Sequence, residues 1–176
     1  MRSRRPRLRR LDRVYSDSPI YFVTAGTYGR KELLHNADLC QAFVAFCEKG
    51  KDRGIFVGRF VLMPDHFHVF VQFGPEFMET VVQRRSDRVA AVCDRRSNPD
   101  CLSVWMKSLK NTLSIALRQK GVSAPHWQKG FFDHVLRSGE SYSEKWQYVL
   151  ENPVRTGLVD DWKKWDWQGE VCSLEG

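Results

Sequence analysis

Two hydrophobic periods alternate along this chain, and the switches between them outline its elements. Ile20-Tyr21-Phe22-Val23-Thr24-Ala25 is rich in β-branched and aromatic residues and runs out near Gly26, which predicts a first strand. Phe43, Val44, Phe46 and Cys47 then recur at helical spacing. Asn36 or Asp38 can cap that helix, and Gly50 and Gly54 can end it. Residues 55–62 predict a second strand and residues 66–73 a third. Only Met63-Pro64-Asp65 separates them, so the pair should be an antiparallel hairpin.

The next stretch, residues 74–100, is polar and basic and reads as a partly helical insertion or a mobile loop. From about 102 to 119 a helix is expected, because Trp105, Leu109, Leu113 and Leu117 recur every four residues as one buried stripe. Lys107, Lys110, Asn111, Ser114 and Arg118 fall off that stripe, on a face expected to be solvated. Residues 131–137 predict a fourth strand, and residues 141–152 a final helix that Pro153 should stop. The tail carries Trp162, Trp165 and Trp167 and should pack back on the domain. The predicted order is β-α-β-β-α-β plus one helix. That is an α+β, ferredoxin-like split-βαβ arrangement, an antiparallel sheet with helices on one face. It divides the chain into an arm, 1–18, and one domain, 19–176, interrupted by the basic insertion around 74–100.

Charge adds a partner class to this picture. The formal net charge is +7, which favours a polyanion. The excess is concentrated in an N-terminal arm, Arg2, Arg4, Arg5, Arg7, Arg9, Arg10 and Arg13, and in a second cluster, Arg84, Arg85, Arg88, Arg95 and Arg96. Arginine forks suit phosphate oxygens, although a solvated tail explains such clusters equally well. The five cysteines are odd in number and form no CxxC pair, which argues against a zinc module and against a secreted disulfide framework. No apolar run reaches membrane-span length, and none follows the arginine arm as in a signal peptide. The expected setting is cytosolic.

The candidate chemistry centres on Met63-Pro64-Asp65-His66-Phe67-His68-Val69-Phe70. Residues i and i+2 of a strand share a face, so His66 and His68 present two imidazoles side by side, a start for a divalent-metal site. Asp65 should point to the other face, which makes a two-histidine, one-carboxylate oxygenase site a poor fit. On the last predicted helix, Tyr142, Trp146, Val149 and Leu150 form the apolar stripe. Tyr148 avoids it, on the same side as Glu144 and Asn152. Such a tyrosine is either a surface residue or a placed one.

Three segments in order carry a family resemblance: Met63-Pro64-Asp65-His66-Phe67-His68, then Trp127-Gln128-Lys129-Gly130-Phe131-Phe132-Asp133-His134, then residues 148–159, Tyr148-Val149-Leu150-Glu151-Asn152-Pro153-Val154-Arg155-Thr156-Gly157-Leu158-Val159. Together they resemble the REP-associated tyrosine transposases, single-tyrosine members of the HUH (His-hydrophobe-His) nucleases, over roughly residues 20–165. The resemblance implies a ferredoxin-like core and cleavage and rejoining of single-stranded DNA at hairpin-forming repeats. His66 and His68 match the metal-binding pair, Asn152 the polar residue that completes the site, and Tyr148 the nucleophile. The implied cofactor is Mg²⁺ or Mn²⁺. Arg4, Arg5, Arg7, Arg9, Arg10, Lys107, Lys110 and Arg155 are the candidate DNA contacts. A second aromatic often found two residues after the nucleophile is replaced here by Leu150. His134 is expected to be a structural hydrogen-bonding residue, and His35 and His126 are expected at the surface. The chain could act as a monomer or a homodimer, without a membrane. The alternative is a catalytically silent single-strand nucleic-acid-binding module, with Tyr148 as a stacking surface.

Overall fold

The computed structural model describes residues 19–89, 101–136 and 142–174. The arm residues Arg4, Arg5, Arg7, Arg9 and Arg10 therefore lie outside the described residues, as do Arg95 and Arg96. Five antiparallel strands form one sheet: β1 Ile20–Gly26, β2 Ile55–Leu62, β3 His66–Phe73, β4 Phe132–Val135 and β5 Gln168–Glu170. Their order is β4-β1-β3-β2-β5. The helices are α1 Ala37–Glu48, α2 Pro75–Val89, α3 Cys101–Gln119, α4 Tyr142–Leu150 and a single turn, α5, Asn152–Arg155. The fold class is α+β, as expected.

Local signals account for the early elements. Asn36 caps α1 by accepting a hydrogen bond from the Leu39 amide at 2.9 Å. The hairpin between β2 and β3 closes on the Met63 amide, which donates to the His66 carbonyl at 2.8 Å. That turn is fastened from outside. The Leu33 and Leu34 amides both donate to the Pro64 carbonyl, and the Thr27 amide donates to the Asp65 carbonyl at 2.8 Å. Thr27 is fully buried, and its hydroxyl lies 2.7 Å from the Lys31 carbonyl and 3.0 Å from that of Asp65.

The alternation of β3 supplies two different faces. Phe67, Val69, Val71 and Phe73 join the core beneath α1 and α3, with Phe43, Leu109, Leu113 and Leu117. Phe70 points the other way, into a smaller core with Ile20, Phe22, Val61, Val149 and Trp165. Helices thus cover both faces, α1 and α3 on one and the additional C-terminal helix α4 on the other. The reason lies in α4, whose stripe of Tyr142, Trp146 and Val149 packs on Phe70 and its neighbours rather than on the larger core.

Three expectations need correction, and one strand was not expected at all. Pro153 does not end the helical stretch. Helix α4 stops at Leu150, Glu151 turns with φ −81° and ψ −3°, and Pro153 sits in the first turn of α5, where its missing N–H costs nothing. Ser114 is buried and accepts a hydrogen bond from Trp127 Nε1 at 2.9 Å. His126 is also buried, its Nε2 3.0 Å from the Val122 carbonyl. Finally, β5 is a strand that its polar Gln-Gly-Glu sequence did not announce; it pairs with β2 at Arg59, Phe60 and Val61. The aromatic tail does fold back: Trp165 is buried and donates through Nε1 to the Leu62 carbonyl at 3.0 Å. The polar 74–100 stretch begins as helix α2, and residues 90–100 lie outside the described residues. Among the described residues no helix is long and apolar enough to cross a membrane.

Candidate active site

His66 and His68 lie side by side on the smaller-core face, with ring centroids 4.8 Å apart and planes at 85°. Each ring is held by its Nδ1. His66 Nδ1 is 2.6 Å from Asp65 Oδ1, and Asp65 Oδ2 is 2.8 Å from Arg30 Nε. His68 Nδ1 is 2.8 Å from Thr24 Oγ1, across the β1–β3 ladder where the two residues are direct partners. Among the described residues neither Nε2 has a hydrogen-bond partner. Toward the Asp65 carboxylate Nδ1–H is the donor, which leaves the lone pair of a neutral His66 ring on Nε2, the form that ligates a metal; the Thr24 hydroxyl can pair with either tautomer of His68. Burial, the neighbouring His66 and the charge of Arg155 together push the His68 pKa down to about 3, so this imidazole stays neutral.

Helix α4 brings the second half of the site to this same face. Phe70 meets Tyr142 at 4.8 Å and Trp146 at 6.4 Å, and the Tyr142 hydroxyl accepts a hydrogen bond from the Arg59 amide at 3.1 Å. Val149 is buried, whereas Tyr148 is 62% exposed. The Arg155 guanidinium lies 3.9 Å from the Tyr148 ring centroid. It also donates to the Tyr148 carbonyl and, at 2.5 Å, to Asn152 Oδ1. Tyr148, Asn152 and Arg155 therefore form one cluster, near enough for the arginine charge to act on His68.

The donor set fits a divalent cation that accepts nitrogen ligands. Two imidazoles stand close together, and no third His, Cys, Asp or Glu joins them in a metal-binding group among the described residues. The amide oxygen of Asn152, the third donor the sequence offers, accepts a hydrogen bond from Arg155.

The other predicted contacts lie elsewhere. Lys107 is exposed on α3, in the layer covering the opposite face. Lys110 is not free for a strand: its ammonium donates to the carbonyls of Gln128 at 3.3 Å and Gly130 at 2.5 Å and sits 5.8 Å from the Trp127 ring. It pins the 127–130 loop instead. Sequence reasoning missed Thr24, Asp65 and Arg30 as supports of the histidines. Thr24 is visible only once the β1–β3 register is known. Asp65 was expected to turn away from the histidines, yet its carboxylate reaches its neighbour's ring.

The chain resembles the REP-associated tyrosine transposases. A protein of that name from Escherichia coli (strain K12) is 21% identical over 178 residues, covering 92% of both chains. An uncharacterized protein of Haemophilus influenzae is 21% identical over 105 residues, 56% of this chain and 54% of its own. The solved structure of the REP-associated tyrosine transposase bound to a REP hairpin superposes with a TM-score of 0.60 at 19% identity, covering 96% of this chain and 82% of that one. At that identity the superposition speaks for the fold. No protein-family model matches the chain.

Proposed function

We propose that this chain is a transposase-like, metal-dependent single-stranded DNA endonuclease and strand transferase acting at hairpin-forming repeats. What carries the reading is the pair His66 and His68, tied at Nδ1 and open at Nε2, on the face where α4 carries Tyr148. The structural relative solved in complex with a REP hairpin supports hairpin DNA as the partner. The transposase name of the Escherichia coli relative supports the reaction class.

In this reading His66, His68 and Asn152 hold Mg²⁺ or Mn²⁺, the two imidazoles tilting the choice toward Mn²⁺. The ion would neutralise phosphate charge and polarise the phosphorus. Tyr148 Oη, deprotonated, attacks the phosphorus. The new P–O bond forms to the tyrosine and the bond to the 3′ oxygen breaks. The 3′ oxygen leaves as a hydroxyl after taking up a proton, and the DNA remains as a 5′-phosphotyrosine. Because the linkage conserves the phosphodiester, another 3′-hydroxyl can reverse the step and join a new strand. Arg155, already beside Tyr148 and Asn152, supplies positive charge where the phosphate must lie. Such a protein would work in the cytoplasm on nucleoid DNA.

The test is covalent capture of labelled hairpins, drawn from repeats flanking the gene and bearing single-stranded extensions, with Mg²⁺ or Mn²⁺. Wild type should form a covalent adduct that EDTA abolishes. Tyr148→Phe should form none, and an undiminished adduct from that variant would falsify the assignment. A second reading, a silent single-strand-binding module, draws on the exposure of the Tyr148 ring. Steeply salt-dependent, metal-indifferent binding with no adduct would favour it.

A further inference from the structure

One exposed aromatic on the histidine face has no role in the chemistry above. Phe132 is 62% exposed on β4, an edge strand of the sheet. Thr24 pairs with both Phe132 and His68, so all three side chains share one row across the face. Two strand spacings separate Phe132 from His68, roughly 10 Å. A phosphate and its attached base together cover about that length. Edge strands are normally blunted by charge or proline, and an exposed phenylalanine there stabilises nothing by itself.

A polar side chain lies over each of its two diagonal neighbours, Gly26 and Phe22. Gly26, diagonal to Phe132 at about 7–8 Å, has no Cβ, and the Gln128 side-chain amide fills that space: Oε1 would lie 3.2 Å from a Cβ there. The Gln128 amide makes no hydrogen bond among the described residues. On the other diagonal is Phe22, and the Lys145 ammonium lies 5.6 Å from its ring centroid. Lys145 pairs with no carboxylate among the described residues. Lys145 also precedes Tyr148 by three residues on α4, so both belong to the same side of the helix.

We infer that Phe132, Gln128 and Lys145 form the subsite for the unpaired nucleotide next to the cleaved phosphate. The base stacks on Phe132, the Gln128 amide reads its edge, and Lys145 meets the adjoining phosphate. An aromatic plane flanked by a cation and an amide is the combination that holds single-stranded nucleic acid. A duplex base cannot expose its face to such a plane, so the subsite selects unpaired DNA. The inference rests on the function proposed above and names which residues choose its substrate.

The test uses the full-length protein in EDTA, so that nothing is cut, and the same flanking-repeat hairpins with 2-aminopurine placed in turn at each extension nucleotide. Wild type should quench the fluorophore at one position. Phe132→Ala should lose that quench and bind the extended hairpin roughly 5- to 100-fold more weakly, with hairpin lacking the extension unaffected. Phe132→Trp should keep both signals. Lys145→Gln should lower the salt slope of binding by about one. A quench unchanged in Phe132→Ala, with wild-type capture at Tyr148 intact, overturns the subsite alone. Failure of wild type to bind any of these oligonucleotides overturns the subsite and the proposed function together.

Discussion

The two faces of strand β3 differ in what they are asked to do. Phe67, Val69, Val71 and Phe73 lie in a continuous apolar layer under α1 and α3 and have no polar partner to satisfy. The opposite face is graded. It is apolar at Phe70, where α4 covers it, and turns polar at His68 and His66, where each ring takes one oxygen partner. Adjacent residues of one strand thus divide between the core and the proposed chemistry. A slip of one residue in register would put the histidines in the core and Phe67 at the site. The fastening of the 63–65 turn by Thr27, Leu33 and Leu34 opposes that slip.

Substitutions can break this division of labour. The largest expected effect is on the open face. His68→Gln should lower covalent capture by roughly 10³-fold or more, since metal stabilisation of the transition state is worth several kcal/mol. Its urea midpoint in EDTA should stay near wild type. Loss of folding in that variant would show that the face is not free of structural duty. Next comes the covered face, where Leu109→Ala should cost about 2–5 kcal/mol of stability by urea denaturation. Capture per folded molecule should be unchanged.

Smaller effects probe the supports. Asp65→Asn leaves the His66 ring a weaker partner, and Mn²⁺ affinity measured by calorimetry should fall roughly 10- to 100-fold. An unchanged affinity would mean that the Arg30–Asp65–His66 chain does not orient the ligand. The smallest effect concerns pH. His68 is held neutral in the folded protein, its pKa depressed from 6.5 to about 3. In metal-free protein its contribution is complete above about pH 6.5 and is lost as the pH falls toward 3, because the unfolded chain takes up the proton first. Urea midpoints in EDTA between pH 7.5 and 4.5 should therefore fall more steeply for wild type than for His68→Phe.

The covered face was legible in the sequence, and the site only in part. Helix α3 announced itself through Trp105, Leu109, Leu113 and Leu117, and all four are buried. The hairpin followed from its apolar runs and the Pro-Asp turn. What escaped depended on tertiary placement. Glu151 breaks the helix before Pro153 can, so Asn152 starts a new turn rather than ending the old one. That α4 would cover the histidine face could not be read from its stripe, because an apolar stripe does not say which side of a sheet it will meet. Strand β5 carried no β-favouring residue to betray it. Lys110 looked solvated because its partners, the carbonyls of residues 128 and 130, leave no trace in side-chain patterns.

One glycine sets the mechanics of the helix carrying Tyr148. The β2–β3 register shifts between Val57 and Phe60, and within that bulge a Cβ on Gly58 would meet the Tyr142 hydroxyl at 2.6 Å and Leu174 at 2.7 Å. The bare backbone there lets Tyr142 reach the Arg59 amide and anchor the first residue of α4. Tyr148 rides six residues farther along, about 9 Å from the anchor. The helix is in effect a cantilever, clamped at Tyr142 and bearing Tyr148, the proposed nucleophile, near the other end. A small tilt at the clamp is magnified at the phenol, so a methyl group added to a strand remote from the histidines would be felt as a misplaced tyrosine in the proposed reaction.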